Sequence, residues 1–223
     1  MTLAPDAVRT MFDRIAPVYD GMNRVMTAGL DLRWRRLAAA SVVRPGDRVL
    51  DAACGTGDFA VAALHAGAGS VVGLDFSERM LERARRKVPA ADFVRGDVLA
   101  LPFEDRAFDA ATIGFGIRNV ADLELGLREL RRVLRPGGRL AILEITQPGG
   151  ALRPFFSLWF DRVVPVLGKL VMGGEAYSYL PASVRRFPAA PELAVLMRAA
   201  GLEDVRFRRL GGSIVALHTG VAG

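Results

Sequence analysis

The stretch that decides the fold is Val49-Leu50-Asp51-Ala52-Ala53-Cys54-Gly55-Thr56-Gly57-Asp58-Phe59. An apolar run ends in an acid, and two glycines follow, one residue apart. Apolar residues then recur at helical spacing through Val61 and Leu64. This pattern reads as strand, tight turn and helix N-terminus. The glycines let the backbone turn sharply and leave room for a ligand to lie against it. The helix start turns unpaired N–H groups toward that ligand. A second apolar run, Ser70-Val71-Val72-Gly73-Leu74-Asp75, also ends in an acid, and Ser77 is placed to cap the next helix. Asp75 stands near the distance from the glycine turn, roughly 20 residues, expected of a carboxylate that holds ribose hydroxyls. A nucleoside cofactor on an α/β sheet is the implication.

Downstream the alternation continues. The spacing predicts helices at 57–66 and 77–87, strands at Asp92–Arg95 and Phe108–Gly114, a helix at Asp122–Leu134 and a strand at Arg139–Glu144. Strand–helix alternation argues for a parallel doubly wound sheet. Two last strands, Asp204–Leu210 and Ser213–Thr219, follow a helix at 191–200, with Gly211-Gly212 read as a two-residue hairpin turn. Between these parts, residues 152–172 carry Phe156, Trp159, Val163, Val166 and Leu170 at helical spacing, with Pro165 as a kink.

About 45 residues precede the first strand. Val8, Met11, Phe12 and Ile15 form an amphipathic stripe over 5–16, which Pro17 ends. Asp20-Gly21 reads as a turn, and Asp31 as the N-cap of a helix reaching about Ser41. We read 1–45 as a helical lid over the sheet's ligand edge and 46–223 as the cofactor-binding domain, with a helical insertion on the substrate side at about 150–190.

Composition narrows the classes. Of 223 residues 51% are hydrophobic, enough for a full core. One cysteine excludes a disulfide framework, and Cys54 with His65 and His218 makes no metal site, so no metal is expected. No leader pattern and no uncharged run of about 20 apolar residues is evident, so a cytoplasmic protein is expected. The net charge of +6 suits an anionic membrane face or nucleic acid. Arg79, Arg83, Arg85, Arg86 and Lys87 concentrate on one helix, where a solvated face is the plainer reading.

Two cofactors compete for the glycine turn. Gly55-x-Gly57-x-x-Ala60 satisfies a loose dinucleotide fingerprint, which allows an NAD(P)-dependent oxidoreductase. An acid at this edge repels pyrophosphate but suits a cationic amino-acid ligand. S-adenosylmethionine (SAM) carries an α-ammonium and a sulfonium and no phosphate. Asp51 would face its methionine end, Asp75 the ribose, and Asp97, past the third strand, the adenine amino group. Turn formation and capping are the structural alternatives for Asp51 and Asp97.

Asp51-x-Ala-Cys-Gly-Thr-Gly57 resembles motif I of class I SAM-dependent methyltransferases, and Arg132-Val-Leu-Arg-Pro-Gly-Gly138 resembles the helix end before their fifth strand. More specific are Tyr19-Asp20-x-Met22-Asn23-x-x-Met26-x-x-Gly29 with Trp34-Arg35, and Gly114-Phe-Gly-Ile-Arg-Asn-Val120-x-Asp122. Both are similar to signatures of the ubiquinone/menaquinone biosynthesis C-methyltransferases. Pro165-Val-Leu-Gly-Lys169, Tyr177-Ser-Tyr-Leu180 and Arg186-Phe-Pro188 look like the menaquinone branch. Asp31-Leu32 stand where the family often has His-Arg, and Asp97 where it often has Asn, an exchange that keeps an acceptor for adenine.

The resemblance implies a Rossmann-like class I methyltransferase fold, a seven-stranded, mostly parallel sheet with an antiparallel last strand. It implies SAM-dependent C-methylation of a polyprenyl quinol, demethylmenaquinol to menaquinol, with a benzoquinol or another small acceptor as alternatives. Cofactor contacts fall on Asp51, Gly55, Thr56, Gly57, Asp75, Asp97, Val98 and Gly114. Arg118, Asn119 and Tyr19 are the candidates for catalysis. Arg118 stays protonated, so it would stabilise the forming phenolate or act through a water. Asn119 and Tyr19 would orient the quinol oxygens. The competing readings are an Arg118–Asp122 ion pair, Asn119 as a helix cap and Tyr19 as packing. A lipid substrate implies peripheral contact with an anionic membrane, on the inner face of the cell membrane. Nucleic acid is not expected, because no Asn/Asp-Pro-Pro-aromatic motif follows the fourth strand.

Overall fold

The computed structural model describes residues 5–146 and 175–223. Seven strands form one sheet: β1 Arg48–Ala52, β2 Ser70–Asp75, β3 Asp92–Arg95, β4 Phe108–Gly114, β5 Leu134–Ile145, β6 Leu202–Leu210 and β7 Val215–Ala222. Their order is β3-β2-β1-β4-β5-β7-β6. β7 runs antiparallel to both its neighbours, and the β1, β2, β3, β4 and β5 pairs are parallel. The chain therefore reverses its winding between β1 and β4. That is the crevice where ligands bind on open α/β sheets.

Eight helices belong to the described residues: α1 Pro5–Ile15, α2 Tyr19–Thr27, α3 Leu30–Val42, α4 Asp58–His65, α5 Glu78–Lys87, α6 Leu123–Arg132, α7 Glu175–Arg186 and α8 Ala190–Ala199. Side chains alternate across the strands, so each face builds its own core. Leu50, Leu74, Ile113 and Ile142 pack with Leu127 and Leu130 of α6 and Leu193 and Met197 of α8. On the other face Val49, Val71, Ala110 and Leu143 pack with Trp34 and Ala38 of α3 and Phe59 and Ala63 of α4. No described helix is long and apolar enough to cross a membrane.

The strands at Arg48–Ala52, Ser70–Asp75, Asp92–Arg95 and Phe108–Gly114 lie where the sequence puts them. Ser77 caps α5 by accepting the Met80 N–H at 3.2 Å. Four expectations need correction. Asp20-Gly21 is not a turn but the first turn of α2, where an acid suits the positive helix end. Asp31 is not an N-cap: Gly29 holds that position, and Asp31 lies inside α3, buried against Arg24 and Arg35. β5 begins at Leu134 rather than Arg139. Leu134 already pairs with Phe108, residues 135–138 bulge out, and pairing resumes at Arg139 with Ala110. Gly138 fits that bulge because a Cβ there would lie 2.7 Å from the Arg135 carbonyl.

The last hairpin is the fourth correction. Leu210 pairs with Val215, so the loop has four residues and not two. Gly211, Gly212 and Ser213 all take positive φ. A Cβ on Gly211 would sit 2.5 Å from the Trp34 ring, so α3 and this hairpin interlock. The helix expected over 152–172 lies outside the described residues. Of the insertion at about 150–190, α7 and the start of α8 are described. α7 packs against α1 and the turn Ile117–Asn119.

α1 and α2 are bonded to the loops at the carboxyl end of the sheet. Ser77 Oγ donates to Asp13 at 2.6 Å, Arg83 to the Pro17 carbonyl at 3.0 Å, and Thr56 Oγ1 to Asp20 at 2.5 Å. The basic face of α5 is therefore partly a docking face for these helices. α3 instead belongs to the core layer through Trp34, Ala38, Ala39 and Val42.

Candidate active site

The β1–α4 loop forms the floor. Gly55 and Gly57 take φ of +54° and +86°, a region L side chains rarely adopt. A Cβ on Gly57 would also press on Val88 at 3.2 Å. Across the floor stands the β4 end, Gly114-Phe115-Gly116. A Cβ on Gly114 would meet the Phe59 ring at 2.6 Å, and one on Gly116 would meet Ala53 Cβ at 2.7 Å. Phe115 itself holds φ +59°. For a bulky residue that is a true outlier, and such strain gathers at ligand sites.

Two adjoining clefts open between these loops and the N-terminal helices, and both are lined by Tyr19, Ala53, Gly55 and Gly114. The larger, about 370 Å³, adds Asp75, Phe12, Phe76, Met80, Phe115 and Asn119. The smaller, about 290 Å³, adds Arg35, Asp51, Thr56 and Asp58. Phe12 meets Phe76 edge-on at 6.0 Å and Tyr19 at 6.3 Å, which makes an apolar wall beside Asp75.

The two strand-end acids differ in how they are satisfied. Asp75 accepts the Gly55 N–H at 2.8 Å and the Ser77 N–H at 2.9 Å. Burial pushes its carboxyl up to about 6 against the pull of those N–H groups. Asp51 is 1% exposed. One oxygen takes a long bond from Thr112 at 3.3 Å, and the other, Oδ2, has no partner among the described residues. Burial drives it up to about 8, with Arg35 and Thr112 pulling the other way. Burial also works to raise Asp58, but Arg35, Lys87 and Arg24 outweigh it and hold that carboxyl below the ordinary range.

The structure brings Asp51, Gly55, Thr56, Asp75, Gly114, Tyr19 and Asn119 to the clefts. Gly57 shapes the floor behind them. Asp97 is exposed, accepts the Leu99 N–H at 2.9 Å and lines neither cleft, and the Val98 side chain is buried in the core. Arg118 also lines neither cleft. It is paired with Glu144 at 2.6 Å, and its Nη1 donates to the Phe115 carbonyl at 2.5 Å. The Arg118–Asp122 pair does not form, since Asp122 caps α6 by accepting the Leu125 N–H at 2.9 Å. That leaves Asn119 free of capping, and its buried Oδ1 has no partner among the described residues.

Phe12, Phe76, Phe115 and Arg35 are site residues that sequence reasoning did not assign. Phe76 directly follows the ribose-type acid, which was a usable signal. Phe12 was hidden in an ordinary apolar stripe.

A sheet in this order, with its last strand reversed and acids ending β1 and β2 around a glycine turn, is the fold of class I SAM-dependent methyltransferases. Over residues 1–222 the sequence matches the ubiE/COQ5 methyltransferase family, and the chain belongs to it. It is 48% identical to a demethylmenaquinone methyltransferase of Thermus thermophilus, over 94% of this chain and 99% of that one. It is 42% identical to a 2-phytyl-1,4-naphtoquinone methyltransferase of Synechococcus elongatus, over 96% and 97%. Among solved structures it resembles the 4+2 cyclase SpnF, with TM-score 0.76, 19% identity and 99% and 97% of the two chains covered. A SAM-dependent methyltransferase from Aquifex aeolicus has TM-score 0.64, 17% identity and coverage of 92% and 98%. A cyclase and a methyltransferase on one scaffold show that this fold alone does not name a reaction.

Family and fold imply SAM as methyl donor. The residues present fit it. An unpartnered buried carboxylate oxygen on Asp51 suits an ammonium, and an aromatic wall beside Asp75 suits a nucleoside.

Proposed function

We propose that the chain methylates a ring carbon of a reduced polyprenyl naphthoquinol, converting demethylmenaquinol to menaquinol. The observation that carries this reading is the two-sided cleft. A lone carboxylate oxygen on Asp51 lines the smaller cleft, and a lone amide oxygen on Asn119 lines the larger together with Phe12, Phe76 and Phe115. One cleft suits a cation and the other an apolar ring with a hydroxyl, and the two share Tyr19, Ala53, Gly55 and Gly114. The names of the full-length relatives support the naphthoquinol ring.

Bound here, SAM supplies a methyl group made electrophilic by its sulfonium. The chain's residues do the rest. Asp51 takes the α-ammonium, Asp75 the ribose hydroxyls, and the Phe12–Phe76 wall flanks the base. Asn119 Oδ1 accepts from the far quinol hydroxyl and Tyr19 fixes the ring's approach. The hydroxyl beside the reacting carbon gives its proton to water, that carbon takes the methyl while the sulfonium's carbon–sulfur bond breaks to leave a neutral thioether, and the carbon's own hydrogen then passes through water to the oxygen, which restores the ring. Such positioning is worth up to about 7–11 kcal/mol in ideal cases. Arg118, locked to Glu144, acts through the turn that carries Asn119. α1 and α2 serve as the lid. The lipid substrate brings the protein to the inner face of the cell membrane as a peripheral visitor, which flotation with anionic vesicles measures.

The deciding experiment is to incubate the protein with SAM and, in parallel, reduced demethylmenaquinone or a demethylated benzoquinol, and to weigh the products. A methylated naphthoquinol is expected. Methylation of the benzoquinol alone, or of neither, overturns the reading.

A further inference from the structure

Two charges are taken out of water near the end of β5, and neither residue lines a cleft. Glu144 is 1% exposed, and its carboxylate pairs with Arg118 at 2.6 Å. A buried ion pair is a poor device for stability alone, because apolar residues of similar volume commonly serve as well or better. What a carboxylate does that a leucine cannot is hold several N–H groups at set places. Glu144 Oε1 accepts from Arg118 Nη1 at 2.6 Å and from the Ile145 N–H at 2.8 Å, while Oε2 accepts the Arg118 backbone N–H at 3.3 Å. One side chain therefore holds Arg118 by both its head and its backbone.

The same guanidinium reaches toward the site. Arg118 Nη1 donates to the Phe115 carbonyl at 2.5 Å, and the Phe115 N–H donates to the Leu143 carbonyl at 2.8 Å. The strained Phe115 is thus tied to β5 on both sides, directly through Leu143 and through Arg118 to Glu144. Asn119 follows Arg118 in the three-residue turn Ile117–Asn119, and its N–H donates to the Gly116 carbonyl at 3.0 Å. Phe115 and Asn119 both line the larger cleft, where Asn119 Oδ1 has no partner among the described residues. A line of contacts therefore runs from a strand end, through one arginine, to the two residues of this loop that face the acceptor side.

We propose that Glu144 is a positioning residue for methyl transfer. Through Arg118 it sets where Asn119 and Phe115 stand, and so where the quinol carbon lies against the donor's methyl group. The proposal rests on the quinol reading above and adds to it a residue that touches neither substrate nor donor. The role needs the charge and fork of a carboxylate, not merely a filled space beside the turn.

Steady-state methylation of reduced demethylmenaquinone, calorimetry with S-adenosylhomocysteine and urea unfolding test it on two variants. Glu144→Gln should lower kcat by about 100-fold, the scale of a reactant misplaced by roughly 1 Å, with KM for the quinol and affinity for S-adenosylhomocysteine each within about threefold of wild type. Glu144→Leu combined with Arg118→Met sets an apolar pair in the same place. This double variant should resist urea as well as the wild type does and yet stay as slow as Glu144→Gln. A double variant that regains the wild-type kcat reduces the pair to scaffolding and overturns the proposal. So does a Glu144→Gln enzyme whose loss falls on KM or on donor affinity rather than on kcat. Should Glu144→Gln fail to fold, the double variant decides alone. A wild-type protein that methylates neither this quinol nor a benzoquinol overturns the quinol reading itself, a result seen before any variant is made.

Discussion

Asp47 and Asp51 flank the same short strand, and both are buried, yet they sit in opposite circumstances. Asp47, at the amino end of the sheet, accepts the Arg44 N–H at 2.6 Å and pairs with buried Arg139 at 2.7 Å. Asp51, at the carboxyl end, keeps one oxygen without a donor and is pushed up to about 8. Burial is common to both, and completion is not. A buried acid whose partners come from its own chain holds the fold. One whose partner is missing marks where something else must arrive.

The comparison can be broken from either side. Asp47→Ala leaves the Arg139 charge buried and unpaired, so urea unfolding should show a loss of about 3 kcal/mol, with affinity for S-adenosylhomocysteine unchanged. Asp51→Asn should do the reverse. It should weaken that ligand by about 100-fold in calorimetry, by removal of an ion pair shielded from water, and should not lower stability.

The sign of the pH effect follows from the direction of the shift. The Asp51 carboxyl titrates higher in the folded chain than in the unfolded one, so its favourable contribution is complete below about pH 4. That contribution is lost as pH rises toward 8. Melts across this window should favour Asp51→Asn increasingly over the wild type. Ligand binding runs the other way, because an ammonium binds the ionised acid. Between about pH 6 and 7.5 wild-type affinity should rise by up to about 30-fold, and the Asp51→Asn profile should lose that share. Arg35, Asp58, Asp75 and Thr112 face this group. Asp75, at about 6, titrates near the lower end of the window. The smallest effect belongs to an ordinary surface pair. Glu78→Gln cuts the half-exposed Arg85 contact and should move stability by less than about 1 kcal/mol in the same urea assay.

The strands were legible because short apolar runs bounded by turn residues are local signals, and β1, β2, β3 and β4 stand at the bounds read from sequence, the first two ending in acids. The strand-end acids and glycines were legible for the same reason. What escaped depended on contacts between distant residues. α2 has no buried residue, so no periodic stripe announced it. Asp20 and Arg24 tie it to Lys87 and Asp58, far along the chain. Asp31 looked like a cap because Arg24, on α2, reaches it only once α2 and α3 fold back on each other; Arg35, four residues along the same helix, was a local signal left unread. Arg118 looked available because Glu144 lies on another strand. The hairpin was read two residues too short because the Trp34 ring, from the other end of the chain, occupies the space beside Gly211.

That last contact bears on the order of assembly. On a ribosome the early parts of a chain generally have the first chance to fold. Here α3, made early, leans on strands β5 and β7 and fits Trp34 against a turn made near the end of synthesis. α3 rests mainly on α4 and β5, and only the seat of Trp34 beside Gly211 must await the final hairpin. Until then a nascent chain holds a finished glycine turn and an unfinished seat for the Trp34 ring.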